Sequence, residues 1–211
     1  MPYEPMLAAR TRARNHARTP MRVGLISDIH ADATALALAL DVLFDAGVDR
    51  IVCLGDVVQK GPDGDAVIET LRAQLIPSVA GNHDDAELAL GVLSQSSLEW
   101  LAGLPDCRDF VWCGKSVTLA HESPLRQGRV LPGEVPKRLK RYLRRHTMDV
   151  LILGHTHIPM RTRYRDLWIF NPGSVSRGRG GFPRTCAVLE LPSLDFTVLD
   201  IQRGRSVALD R

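Results

Sequence analysis

The chain has 211 residues, 45% of them hydrophobic and 24% charged, and its formal net charge is +3. That length holds one domain with a sizeable core, and the composition argues against an intrinsically disordered chain. Residues 1–20 carry four Arg against one Glu, which already accounts for the +3, so the rest is formally near neutral and is not a basic nucleic-acid-binding body.

Residues 1–20 are rich in Pro, Ala and Arg and have no long apolar run. They read as a disordered basic extension, with Met21 as a second candidate start; a secretory signal would need an apolar stretch. An organellar leader fits the basic, acid-poor composition but not the absence of Ser. Residues 21–211 are expected to form a single domain. No stretch approaches the ~20 apolar residues of a membrane span. The four cysteines, Cys53, Cys107, Cys113 and Cys186, form no C-x-x-C pair. They are expected to be free thiols of a cytoplasmic protein.

The first expected strand is 22–27. A helix follows over 33–46, with Leu36, Leu40, Leu43 and Phe44 on one face and Gly47 as its stop. Next come a strand at 50–54, a Gly- and Asp-rich loop at 56–64, and a helix at 65–75 with Val67, Ile68 and Leu71 inward. A third strand is expected at 76–80. Short helices are expected at 84–93 and 97–103, the second capped by Ser94 or Ser96. Residues 109–112 and 116–120 read as a hairpin around a three-residue turn, Cys113-Gly114-Lys115. Residues 135–147 read as a helix with Val135, Leu139, Tyr142 and Leu143 on one face and a solvated basic face. The run Val150-Leu151-Ile152-Leu153 reads as a buried strand, and three more strands are expected at 167–170, 185–191 and 196–201. Strands alternating with helices early and following one another late suggest two sheets with helices outside.

Five apolar runs end in polar groups. Asp28-Ile29-His30, Gly55-Asp56, Gly81-Asn82-His83-Asp84, His121 and Gly154-His155-Thr156-His157 each follow one. Open α/β sheets place ligands at the carboxyl ends of their strands. Residues i and i+2 of an extended chain project to one side, so the two histidines of 155–157 can aim at one spot. Asp28, His30, Asp56, Asn82, His121, His155 and His157 are seven candidate metal ligands. Seven are too many for one four-coordinate ion and suit two ions sharing a carboxylate. Imidazole with carboxylate suits Mn, Fe, Zn or Co better than Ca or Mg.

This order of motifs, D-x-H, G-D, G-N-H-D, H and G-H-x-H, resembles that of the calcineurin-like metallophosphoesterases over essentially 21–201. It is most similar to their small, stand-alone prokaryotic phosphodiesterase branch. The resemblance implies an α/β fold, a four-layer αββα sandwich of two mixed β-sheets flanked by helices, with a dinuclear metal site at the sheet edge. By position, Asp28, His30, Asp56 and His157 would hold one divalent transition-metal ion. Asp56, Asn82, His121 and His155 would hold the other. Mn leads the candidates, followed by Fe, Zn, Co or Ni. The implied activity is hydrolysis of phosphodiester bonds by a metal-bridging hydroxide, with His83 as general acid oriented by Asp84. A small phosphoester, such as a cyclic nucleotide or dinucleotide, is the expected partner, with no membrane or nucleic acid. A phosphomonoesterase of nucleotides or phosphoproteins is the alternative within the same chemistry. A non-catalytic protein-binding scaffold, as in the retromer subunit of this fold, is the alternative outside it.

Two positions depart from the family pattern. Glu122 stands where a Gly usually follows the fourth-motif His, and its side chain is expected to turn to solvent. Gln59-Lys60 stands where the protein-phosphatase branch has Asp-Arg, and Lys60 lacks the bidentate fork of an Arg. Asn171-Pro172-Gly173-Ser174 is a turn by composition. Arg177 and Arg179 read as solvated charges of a Gly-rich loop.

Overall fold

The computed structural model describes residues 19–209. The disordered extension expected over 1–20 therefore lies, but for its last two residues, outside the described residues. The elements run β1 (Met21–Ile26), α1 (Ala33–Asp45), β2 (Arg50–Cys53), α2 (Gly64–Ala73), α3 (Asn82–Leu90), α4 (Gln95–Ala102), β3 (Cys107–Trp112) and β4 (Lys115–Ala120). They continue with α5 (Lys137–Leu143), β5 (Val150–Ile152), β6 (Met160–Tyr164), β7 (Leu167–Asn171), β8 (Thr185–Leu191), β9 (Asp195–Asp200) and β10 (Arg205–Val207).

Two five-stranded sheets form, in the orders β10-β9-β8-β1-β2 and β3-β4-β5-β7-β6. Both are mixed: β1 runs parallel to β2 and antiparallel to β8, while β5 runs parallel to β4 and β7. The central strands are buried on both faces, which is why they read as unbroken apolar runs. Side chains alternate between two cores. Val23, Leu25, Val52, Leu54, Leu119, Ile152 and Phe170 meet between the sheets. Ile26, Ile51 and Cys53 pack outward against Leu36, Leu40 and Leu43 of α1 and Ile68 and Leu71 of α2. Leu151, Leu153 and Ile169 pack outward against Leu139 of α5. The result is helix, sheet, sheet, helix: the four-layer αββα sandwich. Among the described residues no helix is long and apolar enough to cross a membrane.

Several local expectations need correction. Residues 76–80 form no strand; Ser78 makes a single parallel bridge with Cys53. Pro77 gives its carbonyl to Cys53 N–H but has no N–H to extend the ladder, and Ala80 already pairs with Pro105. The hairpin turn has two residues, because Trp112 pairs with Lys115. Cys113 and Gly114 have φ of 48° and 69°, as a type I′ turn needs. Helix α5 is shorter than 135–147. Pro136 occupies its N-cap, and the basic residues that follow repel at i+3 and i+4 with no acid among them. Phe44 is 57% exposed; eight residues beyond Leu36, it is turned about 80° off the buried stripe.

Candidate metal centre

Strands β1 and β2 of one sheet and β4 and β5 of the other end at a common edge, and the polar motifs follow them there. The strands stop because the motif residues turn the chain. Asp28, His30, Asp56, His155 and His157 all have positive φ, between 51° and 67°. For a residue with a Cβ this conformation costs about 1–3 kcal/mol and persists only where surrounding contacts enforce it. The two histidines of 155–157 therefore do not have the extended conformation that the sequence suggested. They serve neighbouring parts of the site instead of one spot.

At one end, His157 Nε2 lies 3.2 Å from Asp28 Oδ1 and 3.3 Å from His30 Nε2. At the other, His121 Nε2 lies 3.2 Å from Asp56 Oδ2, and His155 Nδ1 lies 3.0 Å from Asn82 Oδ1. Asp56 Oδ2 joins the ends, since it is also 3.8 Å from His30 Nε2. Ligand atoms of Asp28, His30 and His157 lie within 4.8 Å of one another, as do those of Asp28, Asp56 and His121 and of His30, Asp56 and His83. All seven expected ligands thus come together, and His83 adjoins them, its ring edge-on to that of His30.

Each carboxylate has one oxygen tethered and one presented. Asp28 Oδ2 accepts from Ser27 Oγ at 2.6 Å and from His155 N–H at 3.0 Å. Asp56 Oδ1 accepts from His83 N–H at 2.9 Å. The other oxygens face the imidazoles. Two histidines are oriented from behind: Nδ1 of His121 donates to Leu54 O and Nδ1 of His157 to Arg177 O, each at 2.7 Å. Bonding to carbonyls fixes a proton on Nδ1 and turns Nε2 toward the site. Asp28 Oδ1, His30 Nδ1 and His121 Nε2 are buried without a hydrogen-bond partner among the described residues.

Charges are strongly coupled here. Burial, the largest single effect, resists ionisation of Asp28 and Asp56, but the neighbouring imidazoles, His157 and His121 first among them, together outweigh it and hold both pKa values low. Burial likewise resists the His121 imidazolium, but Asp56 and Asp28 push its pKa up to about 9. Burial brings His30 and His155 down to about 4, so both are neutral at neutral pH, as ligation requires.

The backbone is fitted closely to these groups. A Cβ on Gly154 would stand 2.0 Å from Ser27 Oγ and 3.1 Å from Asp28 Oδ2. Polar residues given no role from the sequence support the loops. Asn171 Nδ2 donates to Gly154 O, and the hydroxyls of Ser174 and Ser176 donate to Asp28 O. The signal for them was the polar turn after an apolar strand, to which no role was attached.

Two expectations change. Asp84 does not face His83: its carboxylate is buried and accepts from the N–H groups of Val57, Val58 and Gly81. Burial, then the charge of Asp56, pushes its pKa up to about 7. The partner of His83 Nδ1 is Gln59 Oε1, at 2.5 Å. Glu122 does not turn to solvent. It is half-buried with Oε1 3.8 Å from His155 Nδ1, and burial raises its pKa.

A paired mixed sheet carrying imidazoles and carboxylates at its carboxyl edge is the fold and site of a metallophosphoesterase. The chain belongs to the calcineurin-like phosphoesterase superfamily, whose domain model matches residues 21–193. It is 30% identical over 193 residues to phosphodiesterase YfcE of Escherichia coli, which covers 86% of this chain and 94% of that protein. It is 27% identical over 192 residues to the uncharacterized protein MJ0912 of Methanocaldococcus jannaschii, covering 75% and 78% of the two chains. The fold matches the crystal structure of a metallophosphoesterase from Sphaerobacter thermophilus with a TM-score of 0.71 at 26% identity, over 89% and 88% of the chains.

Proposed function

We propose that the protein is a metal-dependent phosphodiesterase of the cytoplasm acting on a small phosphoester, of the size of a cyclic nucleotide or dinucleotide. One observation carries this reading: two buried carboxylates and three buried imidazoles converge, and Asp28 Oδ1 and His121 Nε2 there lack hydrogen-bond partners among the described residues. Uncompensated buried charge costs several kcal/mol, and divalent cations would compensate it.

The donor set fits such ions. Asp28, His30, Asp56 and His157 would hold one and Asp56, Asn82, His121 and His155 the other, with Mn ahead of Fe, Zn, Co and Ni. When bound, a pair of such ions lowers the pKa of water and offsets negative charge developing at phosphorus. The protein supplies the rest. His83 donates a proton from Nε2 to the departing oxygen, and Gln59 Oε1, an acceptor, keeps the other proton on Nδ1 before and after the transfer. Asp84 holds the amides of Val57 and Val58, two residues and one before Gln59, and so positions Gln59.

The test is a substrate panel on metal-reconstituted protein. Bis(p-nitrophenyl) phosphate, cyclic nucleotides and dinucleotides are compared with p-nitrophenyl phosphate, using each of the five metals. The expected result is metal-dependent turnover with diesters ahead of the monoester. Faster monoester turnover would make the protein a phosphomonoesterase. No turnover with any metal would favour a binding scaffold.

A further inference from the structure

We propose that Lys60, Arg177 and Arg179 form a second anion subsite beside the metal centre, and that the natural substrate carries a phosphoryl group in addition to the scissile one. The inference rests on the phosphodiesterase reading above.

An open cleft of about 560 Å³ runs from the His30 and His157 end of the centre. Lys60, Ser176, Arg177 and Arg179 line it, with Asp32 and Asp63 as its acidic groups. Asp32 is already committed: it caps α1 by accepting from Ala35 N–H at 2.8 Å and lies 3.5 Å from Arg184. The cleft therefore has an excess of positive charge. Among the described residues no carboxylate lies within salt-bridge distance of Lys60, Arg177 or Arg179.

These cations are held in place through their backbone. Ser176 N–H and Oγ both donate to Asp28 O, at 3.3 and 2.9 Å. Arg177 N–H donates to Ser174 Oγ and its carbonyl accepts from His157 Nδ1. Arg179 N–H donates to His157 O at 3.1 Å. Between the two arginines, a Cβ on Gly178 would stand 2.1 Å from Pro183 O, so only glycine allows this loop to close. The Arg177-Gly178-Arg179 segment is thus stitched to two proposed metal-ligating residues.

Lys60 is held from the opposite side. Gln59 and Lys60 have φ of 67° and 75°, two consecutive non-glycine residues in the left-handed region. Strain of this kind collects where geometry serves function. Here it brings Lys60 Nζ to 3.4 Å from His30 Nε2, at the rim of the centre, in the cleft that the arginines also line. Lys60 adds a point charge where this cleft meets the centre. The arginines have planar forks that bind phosphate bidentately, and they suit a second phosphate farther out.

The experiment uses two dinucleotides with the same scissile bond, ApA and its 5′-phosphorylated form pApA. Turnover of bis(p-nitrophenyl) phosphate is measured first and tests the phosphodiesterase reading separately. The expected kcat/KM ratio of pApA to ApA in the unaltered protein is roughly ten to a hundred, the range for one to two charge-assisted hydrogen bonds. In the Arg177→Ala/Arg179→Ala variant the ratio falls toward one. A ratio near one in the unaltered protein, or one the variant leaves unchanged, overturns the proposal. A second measurement needs no catalysis: binding of inorganic pyrophosphate to the metal-free protein by calorimetry. The double variant should bind it at least roughly tenfold more weakly. If neither dinucleotide is cleaved, this arm decides, and equal binding by both proteins overturns the subsite.

Discussion

His83 Nδ1 meets Gln59 Oε1 at 2.5 Å, whereas Asp84, the next residue after His83, directs its carboxylate to the N–H groups of Val57, Val58 and Gly81. The two arrangements close a circuit. Asp84 fixes the start of the 57–60 loop, the loop turns at Gln59 and Lys60, and Gln59 returns to His83. A neutral amide therefore does the orienting, and among the described residues no carboxylate hydrogen-bonds to the imidazole. Burial lowers the pKa of His83 accordingly.

His83→Ala should retain metal and fold but lose turnover, on the order of 10²–10⁴-fold. The loss should depend on the leaving group. A nucleoside alkoxide needs a proton and should suffer most, while nitrophenolate should suffer least. Metal content and both rates are measured on one preparation. An equal loss on both substrates, or the loss of an ion, would move His83 among the ligands, a role its place near His30 and Asp56 also permits.

Gln59→Leu removes the acceptor with little change of shape. Its kcat should fall on the order of tenfold, the worth of one oriented hydrogen bond, with KM and metal content little changed. Gln59→Glu keeps an acceptor and should retain more activity. Steady-state kinetics of the two variants separates orientation from packing: equal losses would mean that Gln59 acts only by filling space.

The sheets and the polar motifs at their edge were legible because burial on both faces leaves unbroken apolar runs, and polar residues directly after them stand out. Strand β6 was not legible: Arg161, Thr162 and Arg163 make its middle polar on a sheet edge, where both guanidinium groups lie over Trp168. Strand β10, with three residues, is too short to leave a pattern. The misassignment of Asp84 came from treating neighbours in sequence as neighbours in space. At the start of α3, successive side chains point about 100° apart, so Asp84 and His83 face different partners. The contact of Gln59 with His83 depends on two left-handed residues that no side-chain pattern announces. The same holds for the five left-handed candidate ligands, whose conformation comes from the contacts of the assembled site.

Gly154→Ala should damage the site without altering a proposed ligand. The added Cβ would collide with Ser27 Oγ, which itself donates to Asp28 Oδ2. Either the backbone before His155 moves or Asp28 loses a tether. Overpacking of this kind costs about 1–3 kcal/mol. Thermal denaturation of the metal-free protein should show a lower Tm, and metal titration a weaker affinity. An unchanged Tm with unchanged affinity would mean that the 154–157 turn adapts freely.

Asp56 tests the shared ligand through stability as well as rate. Its Oδ2 lies between His121 and His30, at 3.2 and 3.8 Å, so a single oxygen serves both ends of the centre. An ion that binds only the folded protein stabilises it by RT ln(1 + [L]/Kd), about 2.7 kcal/mol at a hundredfold excess over Kd. Adding Mn to the metal-free protein should therefore raise Tm, and a chelator should reverse the rise. Asp56→Asn keeps the size of the side chain but removes the charge that both ions would share. It should abolish turnover, bind fewer than two ions per chain and show a much smaller Tm rise at the same Mn concentration. The comparison is internal to each protein, with and without metal, so a change in the variant's intrinsic stability cancels. Two ions per chain, a full Tm rise and near-normal turnover in the variant would remove Asp56 from the bridging position, leaving Asp28 as the carboxylate able to take it.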